Sequence, residues 1–330
     1  MKMRKVVLKK AVRPDLSKPL IDPPIAGHAL WSARQVSIYD RLNHIGEGTF
    51  GNVFKAELSN RVSSTGRVTP QDIEDWRAKK KFALKRIKIE NTQEGFPITA
   101  LREIKILKRL KHHPNVVSLR EVAVSRPSQH NQFKGNVYLV FDYAPADLQG
   151  LLDHKIPITM PQIKCLLLQM LEGLRYLHKN NVIHRDIKGA NLLISHEGVL
   201  KLADFGLARE TANPGRENLT NRVVTLWYRA PELLLGETKY SGKIDIWSVG
   251  CVLAEMMIGR PLFPGNKEAE QMVKIYQTLG DIDDARYPQA KTLKHWADLK
   301  MKEEFKDNLD GTIWSMSKFE VTADCLDFLR

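Results

Sequence analysis

Apolar and polar residues recur along this 330-residue chain in patterns that mark out its strands and helices. Phe82-Ala83-Leu84-Lys85-Arg86-Ile87 alternates, which predicts a strand with Ala83 and Lys85 on one face. Asn136 to Tyr143 predicts a buried strand running into a hinge, and Leu192-Leu193-Ile194 a short one. Ile98, Leu101, Ile104, Leu107 and Leu110 recur at three- and four-residue steps, so a helix is expected here with this stripe buried. Pro97 falls in its first turn, where no amide partner is lost. Pro161 to His178 reads as a helix buried nearly all round. Ile244 to Ile258 is the most apolar helix; it contains Asp245 and Glu255 and is too short to span a bilayer, so no membrane partner is expected.

Two stretches lack such patterns. Residues 1–38 are rich in Lys, Arg and Pro without a period, which predicts a flexible basic extension, with a possible nuclear address in its clusters. Between Leu58 and Lys81 lies a polar insert with a short helix around Gln71 to Lys80. Glu74-Asp75 followed by Lys79-Lys80-Lys81 predicts a solvated excursion at a hairpin tip, where insertions cost little.

Composition changes the picture in only three ways. A net charge of +13 and a pI near 9.5 fit acidic partners, nucleic-acid proximity or phosphorylated substrates as well as a merely solvated basic surface. Cys165, Cys251 and Cys325 stand in apolar helical contexts without CxxC pairing, which predicts free buried thiols in a reducing compartment. No secretory pattern follows the basic first ten residues, so a soluble intracellular protein is expected.

The chemistry concentrates between His184 and Glu232. His184-Arg185-Asp186-Ile187-Lys188-Gly189-Ala190-Asn191 is followed by Asp204-Phe205-Gly206 and Ala230-Pro231-Glu232. Asp186 can accept a hydroxyl proton, and Asn191 and Asp204 are hard oxygen donors suited to Mg²⁺. Lys188 places positive charge where negative charge moves in phosphoryl transfer. Upstream, Ile45-Gly46-Glu47-Gly48-Thr49-Phe50-Gly51-Asn52-Val53 carries G-x-G-x-x-G-x-V. A dinucleotide-binding turn shares the glycines, but it should open into a helix, whereas Val53-Phe54-Lys55-Ala56 continues as a strand. A glycine hairpin over the phosphates of ATP fits better. Ala83 leaves room for adenine, Lys85 reaches the phosphates, and Glu103 can pair with Lys85 once its helix is docked. Phe141 would back the adenine pocket, Asp142, Tyr143 and Ala144 would offer backbone groups to the purine, Asp147 would bond a ribose hydroxyl, and Leu193 would floor the base.

These motifs resemble the eukaryotic Ser/Thr protein kinases, and the run Pro97-Ile98-Thr99-Ala100-Leu101-Arg102-Glu103 narrows the resemblance to the cyclin-dependent kinases of transcriptional type. Phe133 to Tyr143 and Thr220 to Arg229 agree. The resemblance implies an α+β, bilobal fold, with a small antiparallel N-lobe sheet carrying one helix (39–141), a hinge (142–146) and a mostly helical C-lobe (147–330), incomplete at its end. It implies ATP and Mg²⁺ as cofactors, and a cyclin, T-type, on the Pro97–Leu110 helix, docking Glu103. Thr220 would be the activating phosphothreonine, held by Arg102, Arg185 and Arg209. Val223-Val224-Thr225 would form a proline-directed pocket, with Thr225 bonding Asp186 and Lys188. The implied substrate is the Ser-Pro-rich repeat of RNA polymerase II, in the nucleus, with no direct nucleic-acid contact. Phe50 stands where cell-cycle relatives carry an inhibitory tyrosine. The rival readings are a cyclin-binding decoy without catalysis, motivated by the chain stopping partway into a family helix, and a different cyclin-dependent kinase.

Overall fold

The computed structural model describes residues 33–48, 51–60, 68–88, 96–110, 113–126, 135–213, 215–282, 287–301 and 304–329. Thr49, Phe50, Gly95, Phe133, Lys134 and most of the basic extension fall outside them. The chain sorts into two units, one of residues up to 90 with 119–143, the other of 91–118 with 144–330.

The first unit is a six-stranded sheet in the order β1-β5-β6-β4-β3-β2. Its strands are β1 (Arg34–Gln35), β2 (Tyr39–Gly48), β3 (Gly51–Leu58), β4 (Lys81–Arg86), β5 (Leu119–Val124) and β6 (Val137–Asp142). Pairing is antiparallel except for β1, which lies parallel to β5. The alternation in β4 behaves as its sequence dictates: Phe82 and Leu84 are fully buried and join Ala56, Tyr39, Ala123 and Val140 in one core. Burying each such aromatic or leucine contributes about 1.5–3 kcal/mol. Because β1 pairs with β5 and Ile38 is buried, residues 34–38, which belong to the stretch expected to be flexible, are held in the fold.

The insert also differs from expectation. Helix α1 (Pro70–Arg77) opens on a capping box in which Thr69 accepts from the Asp72 amide and Asp72 accepts from the Thr69 amide at 2.8 Å. Asp72 and Asp75 are buried, so the helix is anchored rather than solvated. Arg34 reaches Asp72 at 2.6 Å, Arg120 reaches Asp72 at 2.8 Å and Asp75 at 2.5 Å, and Arg34 also bonds Glu121. The sequence concealed this because the two arginines lie on β1 and β5, 38 and 48 residues away from Asp72. Burial alone would raise the Asp72 carboxyl; hydrogen bonds from Arg34, Thr69 and Arg120 override it and hold the group well below the usual range. A depressed folded-state pKa means stability that is present above the unfolded value near 3.9 and lost as pH falls through the folded one. Asp72→Ala takes from Arg34 and from Arg120 one of two carboxylate partners and leaves the other, Glu121 or Asp75, and is expected to cost about 1.5–3 kcal/mol in urea unfolding at pH 7. The gap between variant and parent should begin to narrow only below the unfolded carboxylate value near 3.9, and close as pH falls through the far lower folded value, where the parent carboxylate also protonates.

The second unit holds α2 (Ile98–Arg109), two small sheets and the remaining helices. Strands β7 (Ala146–Asp147), β9 (Leu192–Ile194) and β10 (Leu200–Leu202) form one sheet, β8 (Val182–Ile183) and β11 (Arg209–Glu210) the other. The helices are α3 (Leu148–Asp153), α4 (Met160–Lys179), α5 (Pro231–Leu234), α6 (Lys243–Ile258), α7 (Glu268–Leu279), α8 (Trp296–Leu299), α9 (Leu309–Met316) and α10 (Ala323–Leu329). Helix α2 sorts with this unit because it packs against the 3₁₀ turn Phe205–Leu207. Its buried face is Ala100, Glu103, Ile106, Leu107 and Leu110; Ile98 and Leu101 are 60% and 52% exposed, contrary to the expected stripe. Helix α4 is amphipathic rather than buried all round, with Ile163, Leu166, Met170, Leu174 and Leu177 inside and Leu168 exposed. Helix α6 is the enclosed one, with twelve buried residues. All three cysteines are free, yet only Cys251 is buried; Cys165 is exposed and Cys325 intermediate. Among the described residues no helix is long and apolar enough to cross a membrane.

Candidate active site

The loop between β8 and β9 is fixed by one carboxylate from the start of α6. Asp245, fully buried, accepts the His184 amide at 3.0 Å through Oδ2 and the Arg185 amide at 2.9 Å through Oδ1; His178 Nε2 adds 2.8 Å to Oδ2. His184 is itself buried, its Nε2 donating to the Ala203 carbonyl and its Nδ1 accepting from the Asp186 amide. Its ring meets Phe205 edge-on at 5.0 Å, so the loop and the Asp204-Phe205-Gly206 turn are braced together.

Four side chains predicted to work together do meet here. Asp186 Oδ2 accepts from Lys188 Nζ at 2.9 Å and from Asn191 Nδ2 at 2.9 Å, while its Oδ1 faces the Thr225 hydroxyl at 3.2 Å. Lys188 also donates to Thr225 Oγ1 at 3.0 Å. Every partner donates, so the arrangement stabilises a carboxylate and fixes its lone pairs. Asn191 commits its Nδ2 protons to the carbonyl and carboxylate of Asp186, which leaves its Oδ1 as the atom for a cation. Asp204 adopts a left-handed backbone, φ 58°, at the head of the 3₁₀ turn, a strained geometry that aspartate tolerates. No three His, Cys, Asp or Glu side chains cluster as a metal cage among the described residues. The Asn191 amide oxygen and the Asp204 carboxylate are hard oxygen donors of the kind Mg²⁺ takes, the rest of its shell coming from phosphate oxygens and water.

In the sheet unit, the glycine strands form a tight hairpin pairing Gly46 with Val53, Glu47 with Asn52 and Gly48 with Gly51. Gly51 has φ 148°, and a Cβ there would lie 1.6 Å from the Arg86 carbonyl, so no other residue fits. Cross-strand register sets Lys85 beside Val53 and Ala83 beside Phe141. Lys85 is buried at 8% exposure. The Tyr143 amide is already bonded to the Lys81 carbonyl, Lys55 sits over the Tyr143 ring, and exposed Asp142 pairs with Lys80 at 3.0 Å. In the helical unit Asp147 pairs with Leu193 across β7 and β9 and caps α3 by accepting the Gly150 amide at 2.9 Å, a role the sequence reading did not assign it.

Arg209 lies within electrostatic reach of both Arg185 and Arg102. Burial lowers the Arg209 guanidinium, and repulsion from Arg185 and Arg102 lowers it further. Arg185 bonds the Leu207 carbonyl and the Tyr240 hydroxyl, and that hydroxyl donates to the Thr220 carbonyl at 2.6 Å. Exposed Thr220 is thus two hydrogen bonds from a self-repelling cationic cluster.

Comparison with known proteins decides the family. The protein kinase domain family model matches residues 39–327. Human cyclin-dependent kinase 9 is 46% identical over 289 residues, 84% of this chain and 72% of that protein. This chain is a protein kinase of the cyclin-dependent kinase family. Cyclin-dependent kinase C-2 of Arabidopsis thaliana is 47% identical over 296 residues, covering 87% of this kinase but 53% of the plant protein. The kinase spans about half the length of the plant relatives it matches. Among solved structures, the crystal structure of the yeast RNA Pol II CTD kinase CTDK-1 complex gives a TM-score of 0.74 at 35% identity, covering 91% of this chain and 88% of that one.

The sequence reading passed over three residues of this kinase. Asp245 was visible only as an acid in the first turn of an apolar helix. Glu210, directly after Arg209, ties the segment to α2 through Lys105 at 3.0 Å and Arg109 at 3.5 Å. Arg229 bonds the carbonyls of Val223 at 2.8 Å and Val224 at 3.1 Å, as well as Glu268.

Proposed function

We propose that this chain is a cyclin-activated Ser/Thr kinase of transcriptional type, moving the γ-phosphate of ATP to a serine or threonine that precedes proline. The observation that carries the reading is the set of donors converging on Asp186. Lys188, Asn191 and Thr225 hold the carboxylate so that it can take the acceptor hydroxyl's proton, while the Lys188 ammonium faces the charge that builds on the transferring phosphoryl group. Asn191 Oδ1 and Asp204 would hold Mg²⁺, which when bound neutralises charge on the β- and γ-phosphates. Gly46, Gly51, Val53 and Lys85 would receive the phosphates, and Ala83, Phe141, Asp142 to Ala144, Asp147 and Leu193 the nucleoside. Glu103 would orient Lys85. Phosphate on Thr220, about −1.5 to −2 in charge, would relieve the repulsion among Arg102, Arg185 and Arg209.

Preference for proline follows from Val224. Its φ of 66° is costly for a β-branched residue, by about 1–3 kcal/mol, and its carbonyl accepts from Arg229. A substrate amide after the acceptor would find that carbonyl engaged, and proline brings no amide. The bare apolar face of α2, Ile98 and Leu101, suits a cyclin helix. The T-type cyclin, the RNA polymerase II repeat as substrate and the nuclear setting rest on likeness to the transcriptional members of the family.

The test is transfer of phosphate, with a T-type cyclin and MgATP, to a Ser-Pro repeat peptide and to its Ser-Ala counterpart. Rapid labelling of the first alone is expected; equal labelling of both would remove the proline reading, and labelling of neither the enzyme reading. Arg229→Ala frees the Val224 carbonyl for a substrate amide, so the Ser-Pro to Ser-Ala ratio of kcat/KM should fall about tenfold, the worth of one hydrogen bond. The ratio cancels any general loss of activity.

A further inference from the structure

One threonine outside the active site has the chemistry of an acceptor. Of the sixteen prolines in the chain, Pro70 alone follows a serine or threonine. Thr69 is exposed and extended, φ −96° and ψ 157°, at the head of α1. We propose that Thr69 is a proline-directed phosphorylation site, and that phosphate there releases α1 from the sheet.

The argument for release is local. Thr69 Oγ1 donates to Asp72 Oδ2 at 2.8 Å. Esterification removes that proton and leaves two oxygens facing each other without a bridge. The ion pairs beside Thr69 already carry more negative than positive charge. Asp72, Asp75, Glu121 and Asp142 give four negative charges, against three positive from Arg34, Arg120 and Lys80. The net is already −1, and a phosphate adds about −1.5 to −2. Both guanidiniums are engaged, Arg34 by Asp72 and Glu121, Arg120 by Asp72 and Asp75, so capturing the phosphate would unmake buried pairs. An eight-residue helix has little stability of its own and depends on these anchors and on Trp76 against the core. Opening the first turn is also what a kinase needs to bind Thr69-Pro70 extended.

In the transfer, Thr69 Oγ bonds to the γ-phosphorus of MgATP, the bond from that phosphorus to the β–γ bridging oxygen breaks, ADP departs, and the hydroxyl proton passes to the kinase's catalytic carboxylate. Where that carboxylate is Asp186 of another copy, the step rests on the function proposed above. Where it belongs to a different proline-directed kinase it does not.

The full chain is incubated with MgATP and a T-type cyclin, and its Asp186→Asn form with MgATP and a separate proline-directed kinase; phosphate is mapped by peptide mass spectrometry. A Ser-Pro peptide in both reactions reports activity. Phosphate on Thr69 in either arm, lost in Pro70→Ala, is the expected result. Labelled peptide with unlabelled Thr69 in both arms overturns the site. An unlabelled peptide in the first arm alone counts against the proposed function, and the second arm still decides Thr69. Amide exchange across residues 72–78 should then quicken at least tenfold in the phosphorylated chain. Unchanged or slower exchange overturns the release.

Discussion

Asp186→Asn is expected to lower turnover on a Ser-Pro peptide by two to four decades, with the KM for ATP little changed. A positioned base contributes about 10²–10⁴ to rate. The amide cannot take the acceptor's proton, and its NH₂ must face a donor, because Lys188 and Asn191 both donate to one carboxylate oxygen and Thr225 to the other. The loop should survive, since Asp245 and His184 hold it by bonds that do not use the Asp186 side chain. Circular dichroism and a single-turnover assay separate the two effects. Turnover within threefold of the parent, in a folded variant, would mean that the acceptor proton leaves by another route. Lys188→Met should cost less, as it removes charge stabilisation but leaves Asn191 and Thr225 to orient the base.

Most of the acceptor loop was legible in the sequence because Asp186, Lys188 and Asn191 lie within six residues of one another, whereas Thr225 was reached only through the family resemblance. The sheet unit was legible at β4 for a different reason, its period of two. What escaped was whatever depends on partners far apart. A capping box at Thr69-Asp72 can be read locally, but not that Arg34 and Arg120 would enclose Asp72, since a charged helix looks the same whether solvated or anchored. In α2 the error had another source. Ile98 and Leu101 lie on the apolar spacing, yet the helix turns Ala100, Glu103 and Leu107 inward. Periodicity marks a face as apolar without saying whether this chain or a partner covers it.

Asp245 is the residue outside the motifs whose loss should be felt most. Asp245→Ala leaves the His184 and Arg185 amides buried without acceptors, and each such group costs about 1–3 kcal/mol, so about 2–6 kcal/mol is expected from urea unfolding. That is a large part of a typical domain stability of about 5–15 kcal/mol. Asp245→Asn should cost less. Its oxygen can keep one amide, and its NH₂ can donate to His178 if that ring changes tautomer, but the other amide then faces a donor. His178→Ala should cost least, because His178 is 27% exposed and both loop amides keep their acceptor. Turnover should fall in the same order, since Asp186 follows Arg185 directly and inherits any slack in its backbone. The ordering is the decisive measurement: if His178→Ala proved as damaging as Asp245→Ala, the carboxylate would be acting through the histidine rather than through the two amides, and the loop would owe its shape to the α4–α6 contact instead.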